Sequence, residues 1–270
     1  MTRPLTISIV TYNGAGKITK CLQSLHAQTY EDFDVVVVDN ASTDGTVAEV
    51  TSVAPEAQLI QLDSNTGFGA GHNVAIRVTK SPFILVLNQD VVLHEQALQE
   101  MMVAANAHDE AGVVGPCLYR GEGAKPEEVI DTVGLRKSLF YQVTDRGAGK
   151  EPTRKLLQAG YLWGVSGACM LLRRTAIESI AYRNADGIAE YFDESFFMYK
   201  EDLDLCARLN RKGWRSWFAP SAVGWHTRTG FAAASIAETA QHRRGLPRYI
   251  KEYSYRNHWL FLLKNAPILL

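Results

Sequence analysis

The fold class follows from a segment in which an apolar run gives way at once to polar residues, Val35-Val36-Val37-Val38-Asp39-Asn40-Ala41-Ser42-Thr43-Asp44-Gly45. Four consecutive valines favour a strand that is buried on both faces, because a half-exposed strand would alternate apolar and polar residues. The polar residues that follow are typical of a turn. The segment therefore predicts a central strand whose carboxyl end carries side chains able to meet a ligand.

The same pattern recurs on both sides of this segment. Further strands are predicted at 5–11, 58–62 and 83–87, and helices at 17–28, 46–53 and 71–79. Strands that alternate with helices predict a parallel sheet covered on both faces, which is an α/β fold. Between residues 112 and 158 the periodicity weakens and glycines lie among charges, which predicts long loops over the site. Regular patterns resume at 165–172, in a helix that opens at Lys200 and closes at Gly213, and in a strand at 215–219.

Composition limits the classes of function. The chain has 270 residues, 46% of them hydrophobic, and a formal net charge of -1, so it can bury a core but has no overall charge for gathering nucleic acid. Four cysteines without a Cys-x-x-Cys pair indicate neither a zinc site nor a disulfide framework. The first residues lack a signal peptide, and no apolar run reaches the ~20 residues that cross a bilayer. We therefore expect a cytoplasmic enzyme without a nucleic-acid partner.

The predicted strands all end in polar side chains, and the carboxyl ends of parallel strands meet at one edge of a sheet. These residues are therefore expected around one crevice: Thr11, Tyr12 and Asn13, then Asp39, then Asn65 and Gly67, and then Asn88, Gln89 and Asp90. Asp90 follows an apolar strand, and a carboxylate there suits Mg²⁺ or Mn²⁺ bridging two phosphates. An equally supported alternative is that 88–90 forms a turn and caps a helix over 94–108.

The segment 65–73 places three glycines before a predicted helix, which lets the backbone approach a ligand and turns amides towards an anion. It also loosely imitates a dinucleotide-binding unit, so an NAD-dependent oxidoreductase is a competing hypothesis. The spacing differs from Gly-x-Gly-x-x-Gly, and that hypothesis leaves the polar ends of the first two strands unexplained.

Acidic and aromatic residues are densest between 191 and 206. A helix dipole favours acids at a helix start, which explains their sign but not their aromatic neighbours. A carboxylate beside an apolar wall can accept a proton from a hydroxyl nucleophile, and Asp202 is favoured for that task, with Glu201 as its rival. His226 follows a predicted strand and can complete a metal site, although a single histidine is more often an ordinary polar residue.

Taken in order, these segments resemble glycosyltransferase family 2, the inverting transferases of the GT-A fold, and within it the bacterial rhamnosyltransferase-like branch. The resemblance covers most of the chain. It rests on residues 8–13, 38–46, 65–73, 166–174, 192–197, 201–205, His226 and 255–257.

By that resemblance, Thr11, Tyr12, Asn13, Asp39 and Asn65 look like nucleotide contacts, with Gly67, Asn88 and Gln89 beside them. Asp90 and His226 look like metal-site residues, Asp202 like the base, and Trp163, Gly167 and Asp193 like substrate contacts. Many relatives carry Asp-x-Asp, whereas Asn88 stands first here, as it often does in the rhamnosyltransferase-like branch.

The resemblance implies a divalent metal, Mg²⁺ or Mn²⁺, and a nucleotide-sugar donor as co-substrate. It implies transfer of L-rhamnose from dTDP-L-rhamnose to a bacterial surface polysaccharide or its lipid-linked precursor. The alternatives are another donor such as a UDP-hexose, and a sugar-nucleotide-binding protein without catalysis.

The expected organisation is a GT-A domain over residues 1–245 followed by a helical segment over 246–270. Within the domain, 1–110 would bind the nucleotide sugar and 111–245 would carry the acceptor and catalytic residues. The last segment mixes aromatic and basic residues, which suits a helix on the inner face of the plasma membrane. A helix packed on the domain, or on a second subunit in a homodimer, is equally supported.

Overall fold

A computed structural model describes residues 2–121, 129–139, 141–227 and 247–266. The strands are β1 (Leu5–Thr11), β2 (Phe33–Asp39), β3 (Gln58–Gln61), β4 (Phe83–Asn88), β5 (Val91–Leu93), β6 (Ala111–Arg120), β7 (Ile130–Thr132), β8 (Leu135–Lys137), β9 (Val143–Asp145), β10 (Gly160–Leu162), β11 (Cys169–Arg173), β12 (Tyr182–Arg183), β13 (Ala189–Glu190) and β14 (Arg215–His226). The helices are α1 (Lys17–His26), α2 (Thr46–Val53), α3 (Phe68–Val78), α4 (Ala97–Ala107), α5 (Arg174–Glu178), α6 (Glu201–Arg211) and α7 (Arg248–Asn265), with a 3-10 turn at Glu194–Phe196.

The central sheet has the strand order β10-β14-β6-β11-β4-β1-β2-β3, with β5 on β14 and β7 on β6. Strands β3, β2, β1 and β4 are parallel, and β11 runs antiparallel between β4 and β6. Thr11 pairs with Asp39, and Val10 pairs with Asn88. The polar ends of β1, β2 and β4 therefore meet at one edge, as the sequence predicts.

The sheet is buried on both faces, and β4 in its middle is apolar from Phe83 to Leu87. In β4, Leu85 and Leu87 pack with α1 and α4 on one face, whereas Ile84 and Val86 pack with α3, α5 and α6 on the other. The predicted halves, 1–110 and 111–245, contribute strands to the same sheet. The predicted boundary at residue 245 lies outside the described residues.

The prediction of loops from residue 112 onward is wrong for the first part of that region. Strand β6 is a ten-residue member of the central sheet and is buried from Ala111 to Leu118. Its glycines are packing sites, because a Cβ on Gly112 would lie 2.9 Å from the Trp214 Cβ and one on Gly115 only 2.5 Å from a Val165 methyl. Two glycines and a proline therefore make the sequence of this strand look like a turn, whereas in the structure the glycines leave room for neighbouring side chains.

Helix α7 packs on α6 and on the 3-10 turn. Its inward face buries Asn257, Phe261 and Asn265, whereas Tyr255, Trp259 and Leu263 are exposed. The expectation of a helix packed on the domain therefore holds for the inward face. Within the described residues, none of the helices combines the length and the apolar character that crossing a membrane requires.

Candidate active site

A cavity of about 670 Å³ lies at the carboxyl edge of the sheet. Walls come from the loops after β1 and β4, the turn before α3, the start of α6, the β8–β9 hairpin and the end of β14. Most of the predicted site residues line it: Thr11, Tyr12, Asn65, Gly67, Asn88, Gln89, Asp90, Gly167, Glu201, Asp202 and His226.

At one end of the cavity Asp90 faces His226. The Asp90 Oδ1 lies 3.2 Å from the His226 Nε2, and the Asn88 amide nitrogen lies 3.5 Å from the same atom. The pairing of β5 with β14 creates this approach, since His226 lies opposite Val91. Asp90 does not cap a helix, because β5 follows it and α4 begins only at Ala97. The helix-cap alternative is therefore wrong.

Behind His226 lies Asp131, which the sequence does not single out. The Asp131 Oδ2 lies 2.9 Å from the His226 Nδ1 and fixes the orientation of the ring. Burial alone would lower the pKa of His226, but its hydrogen bonds to Asp131 and Asp90 and their negative charges raise it to about 9. Burial alone would raise the pKa of Asp90, but His226 and Lys17 bring it below its usual value.

This arrangement can be tested against the needs of a divalent cation. Among the described residues no group of three or more His, Cys, Asp or Glu side chains is placed to hold a metal ion. Asp90 and His226 nevertheless suit two adjacent ligands, because octahedral ligands at ~2.1 Å lie about 3 Å apart. The side-chain amide of Asn88 offers a third ligand when its oxygen, and not its nitrogen, is turned towards Asp90 and His226. Asp131 gives His226 the carboxylate partner that metal-bound histidines usually have.

A second carboxylate, that of Asp202, lies in the first turn of α6. Its Oδ2 accepts a hydrogen bond from the Gly167 amide at 2.9 Å, and its Oδ1 accepts one from the Leu203 amide at 2.8 Å. Burial and the negative charge of Asp145 raise the pKa of Asp202, although the two amides act in the opposite direction. The neighbouring Ala168 carbonyl accepts from the Asn88 backbone amide at 2.9 Å, so one short turn connects Asp202 to the end of the cavity where Asp90 and His226 lie.

Glu201 also lines the cavity but is more deeply buried. Its Oε2 is buried without a hydrogen-bond partner. Burial and the charge of Asp202 raise the pKa of Glu201 well above its usual range. The unpartnered Glu201 carboxyl therefore favours the protonated form more than Asp202, which accepts hydrogen bonds from two backbone amides.

Asn13 and Asp39 do not line the cavity, and each accepts a hydrogen bond that orders the loop after β2. The Asn13 Oδ1 accepts from the Thr43 amide at 2.9 Å, which ties the first strand's loop to the second. The Asp39 Oδ2 accepts from the Ser42 amide at 3.0 Å, and its Oδ1 is buried without a partner.

The structure does not bring Trp163 and Asp193 to the cavity wall. Trp163 packs edge-on against Phe261. Asp193 pairs with Lys264 and Ser195, so its carboxylate serves the contact between the 3-10 turn and α7.

The prediction that three glycines precede the helix is wrong, because α3 begins at Phe68. Only Gly67 precedes it, with a φ of 91°. A Cβ on Gly71 would lie 2.8 Å from a Val10 methyl, so this glycine lets the helix approach β1. The glycine pattern therefore serves helix packing, which removes the feature on which the oxidoreductase hypothesis rests.

Sequence reasoning also missed Asn40 and Asp145. Asn40 is buried, accepts from the Thr66 amide at 3.2 Å and donates to the Gly67 carbonyl at 3.1 Å, so it shapes the turn before α3. Asn40 stands inside the polar run after β2, where its position was a usable signal. Asp145 stands in the weakly patterned region, where no signal marks it.

Known proteins resemble this chain in sequence and in fold. The family model described as "Glycosyl transferase family 2" matches residues 6–181. An N-acetylglucosaminyl-diphospho-decaprenol L-rhamnosyltransferase of Mycobacterium tuberculosis is 28% identical over 249 residues, which is 84% of this chain and 76% of that protein. The low-salt glycan biosynthesis hexosyltransferase Agl10 of Haloferax volcanii is 25% identical over 221 residues, 77% of this chain and 62% of that protein.

Solved structures share the fold. The mannosyltransferase PcManGT from Pyrobaculum calidifontis, in complex with GDP-Man and Mn²⁺, has a TM-score of 0.60 at 19% identity, over 90% of this chain and 61% of that one. S. aureus TarS has a TM-score of 0.55 at 20% identity, over 85% of this chain but only 37% of the longer TarS chain. The fold is therefore GT-A, a mostly parallel central sheet flanked by helices.

Proposed function

The chain belongs to glycosyl transferase family 2, and we propose that it moves a sugar, with inversion, from a nucleoside diphosphate donor to a hydroxyl group of a cell-surface glycan. One observation carries the proposal: Asp202 and the Asp90–His226 pair line the same cavity and are connected through the turn at 166–168. A displacement at the anomeric carbon needs a base on one side and charge stabilisation for the leaving diphosphate on the other.

Asp202 is the proposed base. Its two backbone amide donors stabilise the carboxylate form and fix its orientation. As the acceptor oxygen bonds to the anomeric carbon and the bond to the diphosphate breaks, its proton passes to this carboxylate. Glu201 is the weaker candidate, since burial raises its pKa and its Oε2 has no hydrogen-bond donor to stabilise a carboxylate.

Asp90, His226 and Asn88 are the residues that would hold Mg²⁺ or Mn²⁺. When bound, such a cation neutralises charge that develops on the leaving diphosphate. His226 must lose its proton to coordinate, so cation binding is expected to release a proton. Asp131 holds the ring with Nε2 directed at Asp90.

The nucleotide is proposed to lie along the loops after β1, β2 and β3. Thr11, Tyr12, Asn65 and Gln89 line this part of the cavity. The unpaired Asp39 Oδ1 beneath them is an acceptor suited to a base imide or a ribose hydroxyl.

The proposed donor is dTDP-L-rhamnose and the proposed acceptor a surface polysaccharide or its lipid-linked precursor. Support comes from the resemblance to the rhamnosyltransferase-like branch and from the mycobacterial relative, whose name specifies L-rhamnose and a decaprenyl diphosphate acceptor. UDP-hexoses are the second candidate donors. We also propose that the exposed face of α7 rests on the membrane that carries such an acceptor.

Calorimetric titration tests the assignment. The ligands are dTDP-L-rhamnose, UDP-glucose, UDP-N-acetylglucosamine and NAD, each with and without Mn²⁺. We expect a nucleotide sugar to bind with Mn²⁺ and NAD not to bind. Preference for NAD contradicts the transferase, and preference for a UDP-sugar replaces only the donor.

A matched pair of variants tests the base. Asp202→Asn is expected to retain donor binding and to lose turnover by about three orders of magnitude, because the acceptor proton has no carboxylate to receive it. Glu201→Gln, its neighbour in the same turn, is expected to keep turnover within about tenfold of wild type. The reverse result would move the role of base to Glu201.

A further inference from the structure

The loop directly before the proposed base has an unusual backbone. Phe197, Tyr199 and Lys200 have φ angles of 62°, 68° and 73°, all in the left-handed region, and none of them is a glycine. Such backbone is strained in residues other than glycine, so the surrounding contacts must hold the loop in place. Glu201 and Asp202 follow at once, so the shape of this loop sets where α6 begins.

Asn257 on α7 supplies those contacts. It is fully buried, and its side-chain nitrogen lies 2.7 Å from the Phe196 carbonyl, 2.6 Å from that of Met198 and 2.9 Å from that of Tyr199. Its Oδ1 accepts from the Arg256 Nε at 2.9 Å. A single amide thus binds three carbonyls of the loop.

Arg256 extends the same contact towards the 3-10 turn. Its guanidinium donates to the Ser195 carbonyl at 2.7 Å and to the Phe196 carbonyl at 3.0 Å. Because these hydrogen bonds go to backbone carbonyls, they depend on the conformation of the loop and not on its side chains.

The opposite side of the loop meets the turn that lines the donor end of the cavity. The Phe197 carbonyl accepts from the Phe68 amide at 2.7 Å, and a Cβ on Gly67 would lie 2.3 Å from that oxygen. The Phe197 ring stacks on Tyr253 of α7 at 4.9 Å. The loop therefore touches the turn before α3, the start of α6 and α7.

Docking of α7 does not depend on Asn257 alone. Near its other end the Asn265 side-chain nitrogen donates to the Asp204 Oδ1 at 2.9 Å, and the Asn265 Oδ1 accepts from Arg211 at 2.7 Å. Phe261 is buried among Leu135, Phe196, Leu203 and Ala207. The contacts of Asn265 and Phe261 hold α7 on the domain. The hydrogen bonds of Asn257 are therefore not needed to dock the helix and instead hold the loop.

We propose that Asn257, assisted by Arg256, is a positioning residue for the transfer reaction: it holds the loop 197–200 and so places Asp202 against the donor. This proposal rests on the proposed function, since it gives Asn257 a role through the base. It assigns α7 a part in turnover beyond its part in stability.

The test compares Asn257→Asp with Phe261→Leu. Asp has nearly the shape of Asn but no N–H donor, so the Met198 and Tyr199 carbonyls lose the bond from residue 257 and the Phe196 carbonyl keeps only the bond from Arg256 on this helix. We expect kcat at saturating donor and acceptor to fall at least tenfold, with the donor KM changed less than threefold. Phe261→Leu removes packing from the same helix and is expected to lower Tm while kcat stays near wild type. A kcat loss in Phe261→Leu as large as in Asn257→Asp, or none in Asn257→Asp, overturns the proposal.

Arg256→Gln provides a second variant if Asn257→Asp does not fold. It removes the hydrogen bonds of Arg256 to the Ser195 and Phe196 carbonyls and to the Asn257 Oδ1. It is expected to lower kcat less than Asn257→Asp but in the same direction, and unchanged kcat overturns the proposal. Hydrogen exchange of residues 196–203 gives a measurement that needs no donor, and faster exchange there with unchanged exchange in α1 is expected. If the wild-type chain transfers no sugar, the proposed function fails. Hydrogen exchange then tests the loop contacts separately, because unaltered exchange of residues 196–203 in the variants would show that Asn257 and Arg256 do not hold the loop.

Discussion

His226 illustrates how a single side chain acquires a function from its two neighbours. Asp131 on one ring nitrogen and Asp90 on the other fix the orientation of the imidazole, as the proposed metal ligand requires. The same two carboxylates hold its proton, so a cation must compete with that proton for Nε2. Asp131 is consequently as important to the site as the two residues that face the cavity.

Asp131→Asn tests this relationship. The amide keeps the size of the side chain but removes the charge that orients His226, so Mn²⁺ affinity in the presence of a nucleoside diphosphate is expected to fall about 10–100-fold. Calorimetric titration of Mn²⁺ measures it, with Asp109→Asn, at an almost fully exposed carboxylate, as control. Equal affinity in both variants would mean that Asp131 does not support a metal ligand.

Gly167 supports the position of Asp202, as Asp131 supports the orientation of His226. A Cβ there would lie 3.2 Å from the Asp202 Cβ and 3.3 Å from the Phe68 ring, so Gly167→Ala must displace the base by a few tenths of an ångström. We expect kcat to fall roughly tenfold, because small displacements of a catalytic group are costly. Gly160→Ala is the control, since nothing lies within 4 Å of its added Cβ. Normal kcat in Gly167→Ala would argue against a fixed base at Asp202.

At the scale of elements, the sequence predicted what depends on local pattern. The apolar runs of β1, β2 and β4 identify buried strands, and their polar ends follow directly. Strand β6 was not predicted because Gly112, Gly115 and Pro116 are typical of turns. The need for glycine at these positions comes from Trp214 and Val165, which are distant in sequence. The positions of Asp131 and Asp145 at the site were not predicted for the same reason, because the strand pairing of β7 and β9 decides where these residues lie.

Helix α7 shows the limit of composition as a guide. Its aromatic residues divide between two faces: Tyr253 packs on Phe197, whereas Tyr255 and Trp259 are exposed beside Leu263. Residues 255, 259 and 263 recur every fourth position and so form one stripe. Tyrosine and tryptophan suit the boundary between headgroups and acyl chains, which favours a membrane surface as the occupant.

Trp259→Ser with Leu263→Ser is expected to reduce co-sedimentation with vesicles of mixed neutral and anionic phospholipid by about tenfold or more, because the double variant removes most of the stripe's apolar area. The control is Val103→Ser on α4, which removes an exposed apolar side chain elsewhere. Equal sedimentation of all three proteins contradicts the membrane contact. If the wild type is a dimer that the double variant dissociates, the stripe belongs to a homodimer interface instead.

For the whole molecule, the sheet explains why the site tolerates so much buried charge. Strands from both halves of the chain bring Asp90, His226 and Asp131 together, so the rigidity of the entire sheet holds the cluster. The start of α6 is less well compensated, because the Glu201 Oε2 is buried without a partner. A buried carboxyl of this kind links global stability to pH.

The sign of that link follows from the direction of the pKa shift. Burial raises the pKa of Glu201 in the folded chain above its value in the unfolded chain. Between those two pKa values the folded state binds the proton and the unfolded state releases it, so rising pH favours unfolding by up to about 1.4 kcal/mol per pH unit. The stabilisation is complete below the unfolded pKa of ~4.3 and is lost as pH rises through the folded value.

Glu201→Gln removes this dependence while keeping the shape of the side chain. Urea unfolding of wild type and variant at pH 5 and pH 8 is expected to show the free energy of unfolding of the variant rising relative to wild type at the higher pH. Glu178→Gln changes a half-exposed carboxylate and is expected to show no such change. If the difference between Glu201→Gln and wild type is the same at both pH values, Glu201 is not a buried neutral acid. Glu201 would then return as a rival of Asp202 for the role of base, with the two amide donors of Asp202 as the remaining argument for Asp202.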